Sequence, residues 1–137
     1  MAMTNNRIRR RVGGFALSTL VGAVSAAVLP AAPALAATCY GGAVSWSAGL
    51  MGLNSAATLG PYYASSRCAD INIKQTSQST ANSACVRFGS ATNPCNYQTV
   101  VADGSWHVIA TNVKDGTKFY VSLFNGDGGS PSGLLAY

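Results

Sequence analysis

Charged residues are scarce in this chain, and acidic residues are the scarcest. The 137 residues include no glutamate, four aspartates and a single histidine. General acid–base pairs and metal sites are built mainly from these side chains, so few combinations are available for either. Three of the aspartates, at positions 103, 115 and 127, precede a glycine, where aspartate commonly stabilises a turn. The composition therefore predicts a non-enzymatic protein without catalytic residues, metal site or cofactor.

Motifs of nucleophilic catalysis and of zinc binding are also missing. The sequence contains no Gly-x-Ser-x-Gly, and its only histidine, His107, falls on the polar face of a predicted strand. A catalytic triad needs a histidine together with a nucleophile and an orienting acid. The four cysteines include no Cys-x-x-Cys pair, which argues against a zinc site.

The first 36 residues have the order of a secretory signal peptide. A basic region at 7–11 precedes an uncharged apolar run at 15–29, and Ala34-Leu35-Ala36 is a small-x-small cleavage site. The apolar run is short for a membrane span. We therefore expect cleavage after residue 36, secretion of a mature domain of residues 37–137 to the extracellular space, and no membrane association of that domain.

Most of the positive charge belongs to this leader. The formal net charge of the whole chain is +5, but four of its nine basic residues precede residue 37. Five basic residues and four aspartates then remain, which leaves a charge of +1. A domain so close to neutral lacks the basic surface that attracts nucleic acid or anionic membranes, and we expect neither as a partner.

Alternating apolar and polar residues predict β-strands, most clearly between residues 103 and 124. Two runs there follow Asp-Gly pairs, whose glycines permit the positive φ of a tight hairpin turn. Period-two alternation with aromatic and β-branched residues is typical of half-buried strands. The residues expected to face the core are Trp106, Val108 and Ala110 in the first run and Phe119, Val121 and Leu123 in the second.

The rest of the mature chain has the same character. Further strands are predicted around residues 40–46, 58–64, 68–75, 84–88, 95–101 and 134–137, with Pro61 indicating a sheet edge or a turn. Turn residues recur every 8 to 12 positions, and no helical period is evident. The pattern predicts a single all-β domain, either a small antiparallel β-sandwich or a partly open barrel of seven or eight short strands.

Cysteine usage fits export. Four cysteines in an exported domain of this size are expected to form two disulfides. Three pairings are possible, and we favour Cys39–Cys68 with Cys85–Cys95. The second pair would close a short excursion between two strands, and the first would tie the N-terminal segment to the sheet.

Aromatic residues are the best candidates for partner contacts, since tyrosine and tryptophan combine apolar area with a polar group. Exposed sheet edges offer a second way to bind, by accepting a strand from a partner, and residues 37–46 and 133–137 are the expected edges. Core packing is the alternative role for Trp106 and Trp46. The candidate contact residues are Tyr40, Trp46, Tyr62, Tyr63, Tyr120 and Tyr137.

Several short motifs in residues 68–137 are similar to those of small, secreted, two-disulfide β proteins of filamentous soil bacteria. They are Cys-Ala-Asp-Ile-Asn at 68–72, Ala-Cys-Val at 84–86, Cys-Asn-Tyr at 95–97, Gly-Ser-Trp at 104–106 and the stretch 110–119. The sequence resembles the adaptor subunits of umbrella-shaped toxin particles. The resemblance implies a secreted adaptor whose partners are a lectin-bearing subunit and a spoke of the large toxin polypeptide.

Two other functions are compatible with the sequence. The first is inhibition of an extracellular protease or glycosidase by a small disulfide-linked β protein, with Arg67 or Tyr62-Tyr63 as the reactive site. Alternatively, Trp46 and the tyrosines could stack against sugars in a carbohydrate-binding module. Among these functions we rank the interaction module first and an enzyme last.

Overall fold

A computed structural model describes residues 34–78 and 81–137, with all of their side chains except those of residues 34–37 and 125. Residues 1–33 of the predicted signal peptide lie outside the described residues. One helix and eight strands occur in the described ranges. They are α1 (Ala34–Gly41), β1 (Val44–Ser47), β2 (Ala56–Tyr63), β3 (Ile71–Gln75), β4 (Ala81–Phe88), β5 (Thr99–Val100), β6 (Trp106–Ala110), β7 (Lys118–Gly126) and β8 (Ser132–Ala136).

The strands form two four-stranded antiparallel sheets. Their orders are β1-β8-β3-β6 and β2-β7-β4-β5. The edge strands β5 and β6 lie next to each other, with the Thr99 hydroxyl 3.5 Å from the Val108 carbonyl oxygen. The other two edges, β1 and β2, therefore lie at the opposite side of the molecule. The predicted all-β fold is confirmed, and it is a sandwich and not a closed barrel.

The core lies between the two sheets. Phe119, Val121 and Leu123 on β7 are fully buried, as their alternation predicts. From the other sheet, Ile71 and Ile73 are equally buried. Complete burial of one such side chain contributes roughly 1.5–3 kcal/mol to stability, so β3 and β7 hold much of the core together.

The prediction for β6 is correct for Ala110 and wrong for Trp106 and Val108, because a β-bulge changes which residues face the core. The register with β3 shifts between the pairs Ile71–Ala110 and Asn72–Val108, which leaves Ile109 as the additional residue. Ile109 is fully buried, whereas 40% of Val108 is exposed and Trp106 is only half-buried. A bulge adds one residue to one strand, so it reverses the faces beyond it.

The two Asp-Gly turns have the expected backbone but do not form hairpins between neighbouring strands. Gly104 and Gly116 have φ values of 75° and 77°, in the left-handed region that glycine tolerates. However, β6 and β7 belong to different sheets, so the turn at Gly116 carries the chain across the sandwich. Its amide donates to the Ala64 carbonyl oxygen at 2.7 Å, which ties this crossing to the end of β2.

Both favoured disulfides are present. Cys39–Cys68 joins α1 to the segment before β3, and Cys85–Cys95 closes the connection from β4 to β5. In that connection the Asn96 side chain accepts from the Val86 amide at 2.9 Å and donates to the Ile109 carbonyl oxygen at 2.7 Å. One side chain thus links a strand of each sheet.

The expected edges are half right. Strand β1 is an edge of its sheet, but residues 37–41 of the same predicted edge belong to α1; Pro61 lies in the edge strand β2, as predicted. Strand β8, however, lies between β1 and β3, so the segment 133–137 is not an edge. Its residues are half-buried or buried, and Leu135 and Ala136 are completely enclosed.

Candidate functional site

His107 and Asp103 lie together at the surface. The His107 Nε2 and Asp103 Oδ1 atoms are 2.6 Å apart, and 63% of the Asp103 side chain is exposed. The same carboxylate oxygen accepts a hydrogen bond from the Ser105 amide at 2.8 Å. The pKa of Asp103 is lowered, chiefly by the side-chain hydrogen bond from His107 and then by the Ser105 amide. Both contacts are local, so the pair stabilises the turn that precedes β6.

Metal-ligating side chains do not cluster in the described residues, where no group of three or more His, Cys, Asp or Glu residues could hold an ion. All four cysteines are in disulfides.

Two of the candidate contact tyrosines belong to an aromatic cluster beside the core. The ring centroid of Tyr62 is 5.6 Å from Phe119 and 5.5 Å from Tyr137. Tyr137 meets Phe119 edge-on at 5.2 Å. Burial raises the pKa of Tyr62, and the neighbouring Tyr137 raises it further. Both tyrosines are half-buried, and most of their contact area is used within the molecule.

Trp46 is a core residue and not a contact residue. Only 4% of it is exposed, and it packs in the main core cluster from the edge strand β1. A partner cannot reach a side chain that the two sheets enclose. The prediction of Trp46 as a contact is therefore wrong, and so is its use as a surface for sugar stacking.

The remaining three tyrosines keep accessible area. Tyr63 is 57% exposed at the end of β2, and Tyr40 on α1 is 41% exposed. Tyr120 is half-buried, with the Lys118 ammonium 5.7 Å from its ring centroid. The Tyr40 ring packs against Trp106 with the centroids 4.7 Å apart. Tyr63 and Tyr120 lie on the paired strands β2 and β7, where Tyr63 is opposite Lys118, whereas Tyr40 lies on α1.

Among the described residues, the most exposed large apolar side chains are two leucines for which the sequence pattern predicts no role. In the loop between β1 and β2, Leu50 is 82% exposed and Leu53 is 75% exposed. Between them Met51 is buried, and its amide donates to the Gly129 carbonyl oxygen at 2.8 Å. Ser55 closes the loop through two bonds to the Gly52 carbonyl oxygen, from its hydroxyl at 2.6 Å and its amide at 3.2 Å. The leucines are thus presented by a fixed loop.

The segment that carries these leucines also lacks charge. Residues 40–66 contain no Asp, Glu, Lys, Arg or His. They include both edge strands at this side of the sandwich, and we call residues 44–63 the β1–β2 edge. Natural edge strands are usually protected from further pairing by charged residues, by bulges or by proline. The β1–β2 edge has no charged residue. It has an irregularity in the pairing of β2 with β7, between Leu59 and Tyr62, and it has Pro61.

A separate pocket of about 230 Å³ opens on the outer side of the sheet that contains β3 and β6. Its walls come from α1, from the segment between β2 and β3, and from the two strands. The lining residues are Cys39, Tyr40, Arg67, Cys68, Ala69, Asp70, Asn72 and Val108. The Cys39–Cys68 disulfide holds the two nonstrand segments together, so the pocket depends on it. We call it the α1 pocket.

Comparison of the chain with protein-family models, with curated proteins and with solved structures finds no match. Within the described ranges, no helix has the length and apolar character needed to cross a membrane. The two disulfides indicate folding in an oxidising compartment.

Proposed function

We propose that this chain is a secreted, non-catalytic adaptor that binds larger extracellular proteins. By resemblance, its partners would be a lectin-bearing subunit and the spoke of a large toxin polypeptide in an antibacterial particle. The observation that carries the proposal is the β1–β2 edge, which combines two exposed leucines, an exposed tyrosine and two open strands without a charged residue.

The leucines support protein binding because their exposure has no structural benefit. Burying one leucine side chain contributes roughly 1.5–3 kcal/mol, and two lie unburied three residues apart. Single exposed apolar residues are normal, but a fixed pair beside an open edge is typical of a docking surface. A partner with an apolar cleft would cover Leu50 and Leu53 with little ordering cost, because Met51 already holds the loop.

The open strands support the same role. Strand β2 pairs with β7 on one side and has no described strand on the other. From Ala56 to Leu59 its register with β7 is regular, and these four residues offer a straight run of backbone groups. An added strand would use those groups for affinity and neighbouring side chains, such as Tyr63, for specificity.

An adaptor must bind two partners, and the opposite side of the sandwich offers a second surface. There Val100 on β5 is 72% exposed and Tyr97 in the preceding connection is 45% exposed. Since β5 and β6 lie across the molecule from β1 and β2, two partners could bind without overlap.

Affinity purification from the culture supernatant of producing cells tests the proposal. We expect larger secreted proteins to copurify in a fixed ratio with the tagged protein. Leu50→Asn together with Leu53→Asn should remove one partner and keep the other, and Val100→Asn should have the reverse effect. Recovery of the chain as a lone monomer at its native concentration would contradict an adaptor role.

The inhibitor hypothesis has one observation in its favour, since Arg67 is exposed next to the disulfide-bonded Cys68. Its side chain is folded back, however. The guanidinium Nε donates to the Ser65 hydroxyl at 3.3 Å, and a Cβ on Gly42 would collide with an Arg67 terminal nitrogen. Assays against a panel of proteases and glycosidases at micromolar concentration would detect inhibition if this side chain extends toward an enzyme.

A further inference from the structure

The α1 pocket contains two opposite charges that do not pair with each other. Arg67 and Asp70 both line it, yet no ion pair joins them. Asp70 Oδ1 accepts from the Asn112 amide at 3.0 Å, which holds the carboxylate in place. Within the described part of the chain, the two terminal nitrogens of Arg67 make no hydrogen bond. Donors and an acceptor are therefore available in one small space.

A buried amide forms the floor of the pocket. Asn72 is only 4% exposed, and its Nδ2 donates to the Asp70 carbonyl oxygen at 3.2 Å. Its other contacts are long: Nδ2 lies 3.9 Å from Cys39 Sγ, and Oδ1 accepts from the Tyr40 hydroxyl at 3.4 Å. Long hydrogen bonds are weak, so a ligand hydroxyl could replace either of them at little cost.

Apolar groups complete the walls. The Tyr40 ring is held against Trp106 and remains 41% exposed, and Val108 on β6 is 40% exposed. Val108 and Asn72 are paired directly across β6 and β3, which places an apolar and a polar group side by side. The bulge in β6 is responsible, because it turns Val108 away from the core.

We propose that the α1 pocket binds a single neutral sugar ring of a glycan. A sugar has an apolar C–H face, which Tyr40 and Val108 suit, and hydroxyls that both donate and accept. Arg67, Asp70 and Asn72 supply the complementary donors and acceptors. The volume of about 230 Å³ lies below the roughly 300–1,000 Å³ of pockets for drug-sized ligands, which fits one ring.

Charged ligands fit less well. Asp70 repels a phosphate, sulfate or carboxylate that Arg67 would attract, and Arg67 repels a cation that Asp70 would attract. A zwitterionic amino acid is the main competitor, because it could face both charges at once. The charged groups of such an amino acid would not use the aromatic ring of Tyr40 as a contact surface.

The test is an NMR titration of the disulfide-bonded mature domain with methyl glycosides of glucose, galactose, mannose and N-acetylglucosamine. We expect at least one glycoside to shift the amide signals of Tyr40, Asn72 and Val108. Arg67→Gln and Asp70→Asn should each weaken that binding about tenfold or more, because each removes a charge-assisted hydrogen bond. Asp115→Asn is the matched control outside the pocket and should change the affinity less than about twofold.

The signals of β7 and β8 report whether each variant is folded. If Arg67→Gln disturbs the packing on Gly42, Tyr40→Leu keeps an apolar side chain, removes the ring that would contact the sugar and should still weaken binding. The proposal is overturned if no glycoside shifts these three amides, if glycine, alanine or glutamate shifts them and no glycoside does, or if the pocket variants bind as the control does. Sugar binding is independent of Leu50 and Leu53, so its failure would leave the adaptor proposal intact.

Discussion

Met51 lies so close to Gly126 that a side chain at position 126 would collide with it. A Cβ built on Gly126 would be 2.8 Å from Met51 Cβ and 3.3 Å from the Gly52 carbonyl oxygen. The loop that presents Leu50 and Leu53 is therefore seated directly on the end of β7. Any group added at position 126 must displace that loop.

Gly126→Ala should both destabilise the fold and reduce partner binding. Overpacking of this kind costs about 1–3 kcal/mol, and the loop shift moves the leucines. Chemical denaturation with the disulfides intact would measure the first effect, and the yield of copurified protein the second. Gly41→Ala, where no atom lies within 4 Å of the added Cβ, is the control. Equal partner yields from both variants would show that the loop position is irrelevant.

Phe119→Ala and Trp106→Ala should differ in their effect on stability. Phe119 is fully buried between the sheets, so its truncation should cost about 3–5 kcal/mol. Trp106 is half-buried and packs in a small separate cluster with the Cys39–Cys68 disulfide, so its truncation should cost less. Denaturant midpoints of the two variants give the comparison. If Trp106→Ala loses more stability than Phe119→Ala, our assignment of the core face of β6 is contradicted.

The Asp103–His107 pair should make the turn before β6 sensitive to acid. The pKa of Asp103 is lower in the folded protein than its ordinary value. The ionised Asp103 therefore stabilises the fold at pH values above the ordinary pKa, and this stabilisation is lost as the pH falls through the lowered pKa. NMR titration of the carboxylate should give a pKa below the ordinary range. In His107→Ala the value should rise toward that range, because the side-chain hydrogen bond, which is the largest cause, is removed. An unchanged pKa in this variant would rule out the hydrogen bond as the cause.

Removing the Cys39–Cys68 disulfide should abolish binding at the α1 pocket and leave binding at the β1–β2 edge unchanged. Cys39→Ser with Cys68→Ser releases α1 from the segment before β3, so we expect loss of glycoside binding and about 3 kcal/mol of stability. The β1–β2 edge is held by other contacts, and binding of the partner that requires Leu50 and Leu53 should persist. Retained glycoside binding without the disulfide would contradict our account of the α1 pocket.

The alternation of apolar and polar residues predicts which side chains are buried in strands whose pairing is regular. The alternation in β3 and β7 identifies Ile71, Ile73 and the three buried residues of β7. The positions of the cysteines relative to the strands favour, among three possible pairings, the one that is present. A bulge has no such pattern, since the residues of β6 alternate regularly along the chain and only pairing with β3 shows the shift. Strand order is likewise set by distant pairing, so the sequence pattern wrongly predicts β8 as an edge.

The candidate surfaces were harder to predict for the same reason. Leu50 and Leu53 lie in an irregular segment without periodicity, and their exposure follows from the burial of Met51 against β7. The absence of charge from residue 40 to residue 66 is the one sequence feature that could have drawn attention to them. The α1 pocket joins residues from four separate segments, so only the tertiary fold brings Tyr40 and Val108 together.

Hydrogen–deuterium exchange of the free protein and of its copurified complex tests the central claim most directly. If a partner binds the β1–β2 edge, amides of β2 that point away from β7 and amides of the loop around Leu50 should become protected in the complex. Amides in the middle of β7 and β4 should exchange slowly in both states, since they are already paired. Protection confined to residues outside 44–63 would contradict the proposal that this edge is the docking surface.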